Sequence, residues 1–434
     1  MYNKIQKKII AYILAFFFLL SIIIPVSSEK TRELKNVITN ISDDVISLIE
    51  KVNESLISYY LEKLVSYAPR FTGTENCRQS AKYIFDEFKA LELDVSYHNW
   101  KSSQYSSQNI VATLNRDDAS HDSVIILCAH YDTTETSPGA NDDGSGIATL
   151  LAIANILSEF SFKNIIRFVA FSGEEIGTYG SHFYARDCYD AGDNIIAVLN
   201  IDTVGFTTDA GEQSLYLLKT DRSQWISLMV FEICKDYNQY LDINIKPIAN
   251  RRNDHQSFLE YGFNSVQFVQ LERGDYPLHT PNDTIDKINY SYLSKVVKLV
   301  LILGYKISNM EFDTRVILTS PKEGFLYIFN NPLFHLPGFN IRGTGLRGMT
   351  YLIGNTIADV KISTNENINS VAFCLDGHSA FSGFLEKPPY EWKIEKPFWT
   401  ILPLLGKHTL SVFVTTESGI VAYDEMDIFI ISFI

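Results

Sequence analysis

The chain has no pair of cysteines close enough to form a CxxC motif. Its five cysteines, Cys77, Cys128, Cys188, Cys234 and Cys374, are scattered and odd in number, which excludes a CxxC metal site. An oxidising compartment would leave room for one disulfide, with no pairing favoured. Cys128, inside an apolar run, reads as a small buried hydrophobe. Clusters of basic residues are also missing: 37 Lys and Arg face 51 Asp and Glu, for a net charge of −14. That balance argues against nucleic acid as the main partner and reads as a soluble surface. Internal repeats and low-complexity tracts are absent. With 434 residues, 46% hydrophobic and only 20% charged, the chain can bury at least one large core and is long enough for two domains.

The N-terminus is the first positive signal. Lys4, Lys7 and Lys8 precede an apolar run from Ile9 to Val26, closed by Ser27 and Ser28 before Glu29 and Lys30. A basic start, an apolar middle and small closing residues predict a secretory signal over residues 1–28. The run also approaches the length of a spanning helix, so an uncleaved membrane anchor is the alternative. Either outcome puts the rest of the chain outside the cytoplasm, secreted or anchored by its N-terminal segment.

Residues 29–68 read as helical and residues 80–91 as an amphipathic helix. Apolar runs of strand length then alternate with helices. Strands are expected at 123–129, 164–171, 194–201 and 265–271, and helices at 146–160, 180–187, 225–237 and 290–307. Continuous apolar strands between helices predict an α/β fold with a mostly parallel sheet covered on both faces. After about residue 312 the character changes to short β-rich runs punctuated by turns, including 326–329, 359–362, 370–373, 409–413 and 426–430. This stretch, 312–434, is expected to be a separate all-β sandwich of the immunoglobulin-like kind.

Polar chemistry collects just after the apolar strands, where open α/β sheets place ligands. His130-Tyr131-Asp132 follows the first, Glu174-Glu175 the second and Asn200-Ile201-Asp202 the third. Asn141-Asp142-Asp143-Gly144-Ser145-Gly146 opens a helix, and His279-Thr280-Pro281-Asn282-Asp283 lies in a proline-flanked loop. Each has a bland reading: a rim histidine, a helix N-cap, a solvated strand end, a loop cap. In this order and at these strand ends they read instead as a two-metal hydrolase.

With Pro69-Arg70-Phe71-Thr72-Gly73-Thr74 and Asp254-His255 added, residues from about 60 to 308 resemble the M28 family of zinc aminopeptidases. The resemblance implies a three-layer αβα zinc-exopeptidase fold, with a metallopeptidase domain over residues 29–311. It implies two zinc ions, with other divalent metals as substitutes: His130 and Asp202 on one, Glu175 and His279 on the other, and Asp142 bridging. Glu174 would be the general base, Asp132 the partner of His130, and Asp254 a supporting residue. A cis peptide is implied between Asp142 and Asp143. The tyrosine that precedes the last histidine in some relatives is Leu278 here, with Tyr276 two residues earlier, which leaves the oxyanion-stabilising group open.

The chemistry is consistent with this expectation. Two Zn²⁺ carry four positive charges and Asp142, Glu175 and Asp202 supply three negative ones, so one bridging hydroxide brings the site to neutrality. Three protein ligands per metal leave a position open, the catalytic arrangement. The expected reaction is hydrolysis at the N-termini of peptides or proteins. The alternatives are a glutaminyl-cyclase-like acyltransferase, whose relatives lack the counterpart of His130, and a non-catalytic binding module. The C-terminal domain is left to an unknown surface partner. Specificity is expected from loops 203–213, 248–256 and 271–278; Arg251-Arg252 reads first as solvated surface charge, with attraction of acidic substrates as the alternative.

Overall fold

The computed structural model describes residues 42–115, 123–207, 213–219, 223–249, 253–271, 276–310, 314–322, 324–335, 350–364, 367–376, 378–394, 404–417 and 421–432. The expected signal, residues 1–28, and the Arg251-Arg252 pair lie outside the described residues. The chain divides into two units between Lys51 and Val52. In the first, the described residues form one helix, α1 (Ser42–Lys51).

In the second unit, helices α2 (Glu54–Val65) and α3 (Glu75–Ala90) lead into strands β1 (Asp94–Lys101), β2 (Ser106–Leu114) and β3 (Ser123–His130). Then follow α4 (Gly144–Leu157), β4 (Ile165–Phe171), α5 (Tyr179–Ala191), β5 (Asn194–Asp202), β6 (Ser214–Lys219), α6 (Gln224–Asp236) and the short α7 (Asn238–Leu241). Strand β7 (Asn244–Ala249), α8 (Asp254–Leu259), β8 (Ser265–Val269) and the long α9 (Tyr290–Ser308) complete the α/β part. The eight strands form one sheet in the order β1-β2-β4-β3-β5-β8-β6-β7. Its centre, β4-β3-β5-β8, is parallel, while β1, β2 and β6 introduce antiparallel pairings.

Every residue of β3 and β5 is buried, as expected for parallel strands covered on both faces. The period of two divides β3 between two layers. Val124, Ile126 and Cys128 pack with Tyr184, Ala185 and Cys188 of α5 and Phe258 of α8. Leu127 points the other way, towards Gly304 of α9. Helix α4, with Leu150, Leu151 and Ile153 buried, is apolar nearly all round, the mark of a helix enclosed by neighbours. It lies against α2 and α9 and contacts β3 and β5. The expected three layers are therefore present.

From Thr314 onward the described residues form strands β9 (Thr314–Ser320), β10 (Phe325–Ile328), β11 (Asn331–His335), β12 (Thr350–Ile353), β13 (Thr356–Thr364) and β14 (Ile368–Leu375). They continue with β15 (His378–Leu385), β16 (Glu391–Ile394), β17 (Leu404–Thr416) and β18 (Val421–Ser432). A seven-stranded sheet, β11-β10-β12-β18-β17-β14-β15, and a three-stranded one, β16-β13-β9, share one core. Val316 and Ala358 from the small sheet meet Phe373, Val412 and Ile428 from the large one. Two inner faces supplying alternate apolar residues make a sandwich. Pairings are antiparallel except β10 with β12 and β12 with β18, which are parallel. None of the five cysteines is bonded to another.

Candidate metal centre

The Asn141–Gly146 segment performs its bland and its chemical functions with different residues. Asp143 is the N-cap of α4: its Oδ1 accepts from Gly146 N at 2.9 Å. The same oxygen accepts from Thr203 N at 3.0 Å, and Oδ2 accepts from His130 N at 3.2 Å. One buried carboxylate thus ties the end of β3, the end of β5 and the start of α4. A Cβ on Gly146 would lie 2.4 Å from Asp143 Oδ2 and from Ile201 O, so only glycine fits there. Ser145 Oγ donates to Asn141 O (2.7 Å) and accepts from Val204 N (2.9 Å). With capping assigned to Asp143, Asp142 is free to face the cleft; the peptide bond between them is cis.

Around Asp142 the structure assembles the residues expected from sequence. His130 Nε2, buried and without a directed hydrogen bond, lies 3.2 Å from Asp142 Oδ1, 3.8 Å from Asp202 Oδ1 and 4.0 Å from Glu174 Oε2. His279 Nε2 lies 2.9 Å from Asp142 Oδ2 and 3.4 Å from Glu175 Oε2. Two trios result, His130-Asp142-Asp202 and Asp142-Glu175-His279, each with its donor atoms within 4.8 Å of one another. Asp142 belongs to both. Glu174 belongs to neither and stands beside them.

The surroundings hold these groups in place. Asp202 accepts from Thr203 Oγ1, from Gln267 Nε2 (3.0 Å) and from Asn253 Nδ2. Thr203 and His279 both adopt positive φ, 55° and 60°, a conformation that costs a β-branched residue in particular and persists only where neighbours fix it. Asp283, fully buried, accepts from Asn141 N (2.8 Å), Asp142 N (3.1 Å) and Tyr276 Oη (2.5 Å). The Tyr276 hydroxyl is therefore used as a brace. The Arg70 guanidinium, also fully buried, donates to the carbonyls of Tyr131 (2.7 Å), Pro138 (2.7 Å) and Gly139 (3.0 Å), fixing the loop between His130 and Asn141. Burial pushes this group down to about 10.

Asp132 sits one layer behind the metal-facing groups. The nearest acceptor for His130 Nδ1 is the backbone carbonyl of Asp132, at 3.2 Å; its carboxylate Oδ1 is 3.7 Å away. That carboxylate instead accepts from Thr72 Oγ1 (2.8 Å), Glu174 N (3.2 Å) and Glu175 N (3.3 Å). Asp254 opens α8 and is fully buried. Asp143, Asp283, Asn253 and Gln267 were not among the residues picked out as candidates from sequence. Asp143 and Asp283 lie inside the quoted motifs, but nothing in the sequence distinguishes their backbone-holding task from that of their neighbours.

The electrostatics call for cations. Asp132, Asp142, Asp143, Asp202 and Asp254 are buried, with Glu174 and Glu175 half-buried beside them, near the buried imidazole of His130 and the exposed one of His279. Burial, aggravated by Asp142, pushes Glu175 up to about 8, and burial pushes Asp254 up to about 7. Glu174 is likewise held well above the usual range by burial. Burial alone would lower His130, but its contacts with Asp132 and Asp142 raise it. Asp142 is held low by both histidines against the effect of burial. Without metal, protons do the neutralising. Glu175 Oε1 is buried with no partner, as is His130 Nε2, and both residues belong to donor trios. Imidazole and carboxylate donors in two trios suit Zn²⁺, and the residues present fit that ion.

Comparison with known proteins agrees with the geometry. The sequence profile of peptidase family M28 matches residues 109–303. These residues form an M28 domain. The M28 domain carries all five candidate ligands and Glu174, and its match ends before β9. The chain is 28% identical over 232 residues to aminopeptidase YwaD of Bacillus subtilis, covering 52% of this chain and 50% of that relative. It therefore spans about half the length of that protein. LapB of Legionella pneumophila superposes with a TM-score of 0.56 at 24% identity, covering 62% of this chain and 75% of that one. BSAP, described as a zinc aminopeptidase from Bacillus subtilis, superposes with a TM-score of 0.54 at 18% identity, covering 59% of this chain and 96% of that one. These two likenesses establish the M28 domain's fold. Among the described residues no helix is long and apolar enough to cross a membrane.

Proposed function

We propose that this chain is a zinc aminopeptidase that removes the first residue from peptides or proteins with a free N-terminus. The observation that carries the reading is the pair of donor trios sharing Asp142, with Glu174 beside them and outside both. His130 and Asp202 would hold one Zn²⁺, Glu175 and His279 the second, with Asp142 common to both. When bound, the zinc supplies Lewis acidity to the scissile carbonyl and lowers the pKa of a water. Glu174 takes the proton of the attacking water and returns it to the departing amine. Its backbone N–H, bonded to Asp132 Oδ1, fixes where that carboxylate stands. The metal–carboxylate cluster would receive the substrate's free α-amino group.

Residues 29–311 would form the peptidase domain and 312–434 an accessory sandwich for a surface partner. The whole would act outside the cytoplasm behind the signal or anchor at residues 1–28. A panel of aminoacyl-coumarins, with and without chelator, tests the activity. Metal-dependent release of the fluorophore is expected. Chelator-insensitive turnover, or cyclisation of N-terminal glutamine in place of cleavage, refutes the reading. Glu174→Gln should keep wild-type zinc content and lose turnover by at least about 100-fold.

A further inference from the structure

We infer that Asn109 is a positioning residue for Glu174, with His98 fixing the orientation of its amide. The inference rests on Glu174 being the base and Glu175 a ligand. Both carboxylates ride on the turn from Ser172 to Gly180, made of the loop after β4 and the first two residues of α5. Asn109, on β2 and fully buried, bonds both ends of that loop: its Oδ1 accepts from Ser172 N (3.1 Å) and its Nδ2 donates to Gly180 O (2.9 Å). The loop closes so tightly there that a Cβ on Gly180 would lie 2.1 Å from Ser172 O and 2.4 Å from Asn109 Oδ1.

The second Nδ2 proton of Asn109 points to His98 Nδ1, 3.0 Å away, and His98 Nε2 lies 3.0 Å from Asp187 Oδ2. This pattern leaves one consistent assignment. His98 Nε2–H donates to Asp187, Nδ1 is left as an acceptor, and the amide cannot flip without setting donor against donor. Trp100 supports the same loop from β1. Its indole Nε1 donates to Ser172 Oγ (3.0 Å), and its ring covers Gly173, where a Cβ would come within 2.6 Å. The turn therefore hangs between Asn109 at its ends and Asp132 at the two glutamate amides, and the β1–β2 hairpin sets where the base stands relative to the ligand.

The test compares Asn109→Ala, His98→Leu and Glu174→Gln with the wild type, as full-length zinc-loaded protein, on the best substrate of the aminoacyl-coumarin panel. Thermal melts and bound-zinc analysis accompany the kinetics. Misplacing the base by about 1 Å predicts that N109A loses about 30- to 100-fold in kcat, with KM within threefold and zinc content unchanged. H98L, which removes only the outer acceptor, should lose about 3- to 10-fold in kcat with the same KM. A folded N109A with kcat within threefold of wild type overturns the inference, as does a kcat loss that only tracks lost zinc. If N109A does not fold, H98L decides: a reduced kcat at constant KM and zinc supports the inference, and wild-type kcat overturns it. Retained turnover in E174Q would refute the base assignment itself, whereas an inactive E174Q beside a wild-type-like N109A would refute only the role of Asn109.

Discussion

Asp143 gives the sharpest quantitative expectation. Its carboxylate is fully buried and accepts three backbone N–H groups, from His130, Gly146 and Thr203. Asp143→Ala strands all three in an interior that water does not reach. Each unpaired donor costs about 1–3 kcal/mol, and overlap between them brings the total to about 3–6 kcal/mol. Asp143→Asn keeps one acceptor oxygen and turns the other into a donor facing an N–H, so it should cost about 1–3 kcal/mol. At about 2–4 °C per kcal/mol for a domain of this size, D143A should melt roughly 10 °C below the wild type and D143N roughly 5 °C below it. Two of the three donors belong to residues at the His130-Asp202 trio. Zinc affinity should therefore fall in the same order, measured by competition with a chromogenic chelator. A D143A protein that melts within 2 °C of wild type (about 1 kcal/mol) would refute the claim that this carboxylate organises the strand ends.

The metal-free protein should lose stability as pH rises from 6.5 to 8.5. Glu175 and Asp254 are raised to about 8 and about 7, and His130 is raised as well. The folded chain therefore holds protons that the unfolded chain has released, and the stability they confer is lost as they leave. His255, lowered to about 3 by burial, acts in the opposite sense only below that window. Melts of zinc-free and zinc-loaded protein should show the slope in the former and a flatter line in the latter; equal slopes would contradict cation-for-proton exchange. Arg70→Lys, replacing a three-pronged donor with a point charge, should cost about 2–4 kcal/mol, read from urea midpoints. Gly146→Ala, whose Cβ would meet Asp143 and Ile201 at 2.4 Å, should cost about 1–3 kcal/mol and reduce bound zinc, and unchanged zinc would show that the α4 start can shift freely.

The central strands were legible because burial on both faces writes a continuous apolar run, as in Val124-Ile125-Ile126-Leu127 of β3. β1 and β7 were not, because each lies at an edge of the sheet. β1 buries only Val95 and Trp100, and β7 contains Pro247, which an edge strand tolerates but which reads as a breaker. Short α8 lacks enough turns to show a period. At the site, the metal-facing residues announced themselves by donor type at strand ends. Asp143, Asp283 and Asn109 act through backbone groups of loops distant in sequence, and a carboxylate or amide that accepts a backbone N–H looks the same in one dimension as one facing solvent. Tyr276 illustrates the ambiguity: its place three residues before His279 left the oxyanion-stabilising group open, while its hydroxyl is committed to Asp283.

The five donors run from His130 to His279 and come together only when β3, β4 and β5 are paired and the loop beyond β8 has returned to them. Contacts of such long sequence separation form late, after loop closure has been overcome. A growing or truncated chain that stops short of Asp283 has neither His279 nor the carboxylate that holds the amides of Asn141 and Asp142. The donor set is thus incomplete until nearly the whole α/β part has folded, and a partial chain lacks the site.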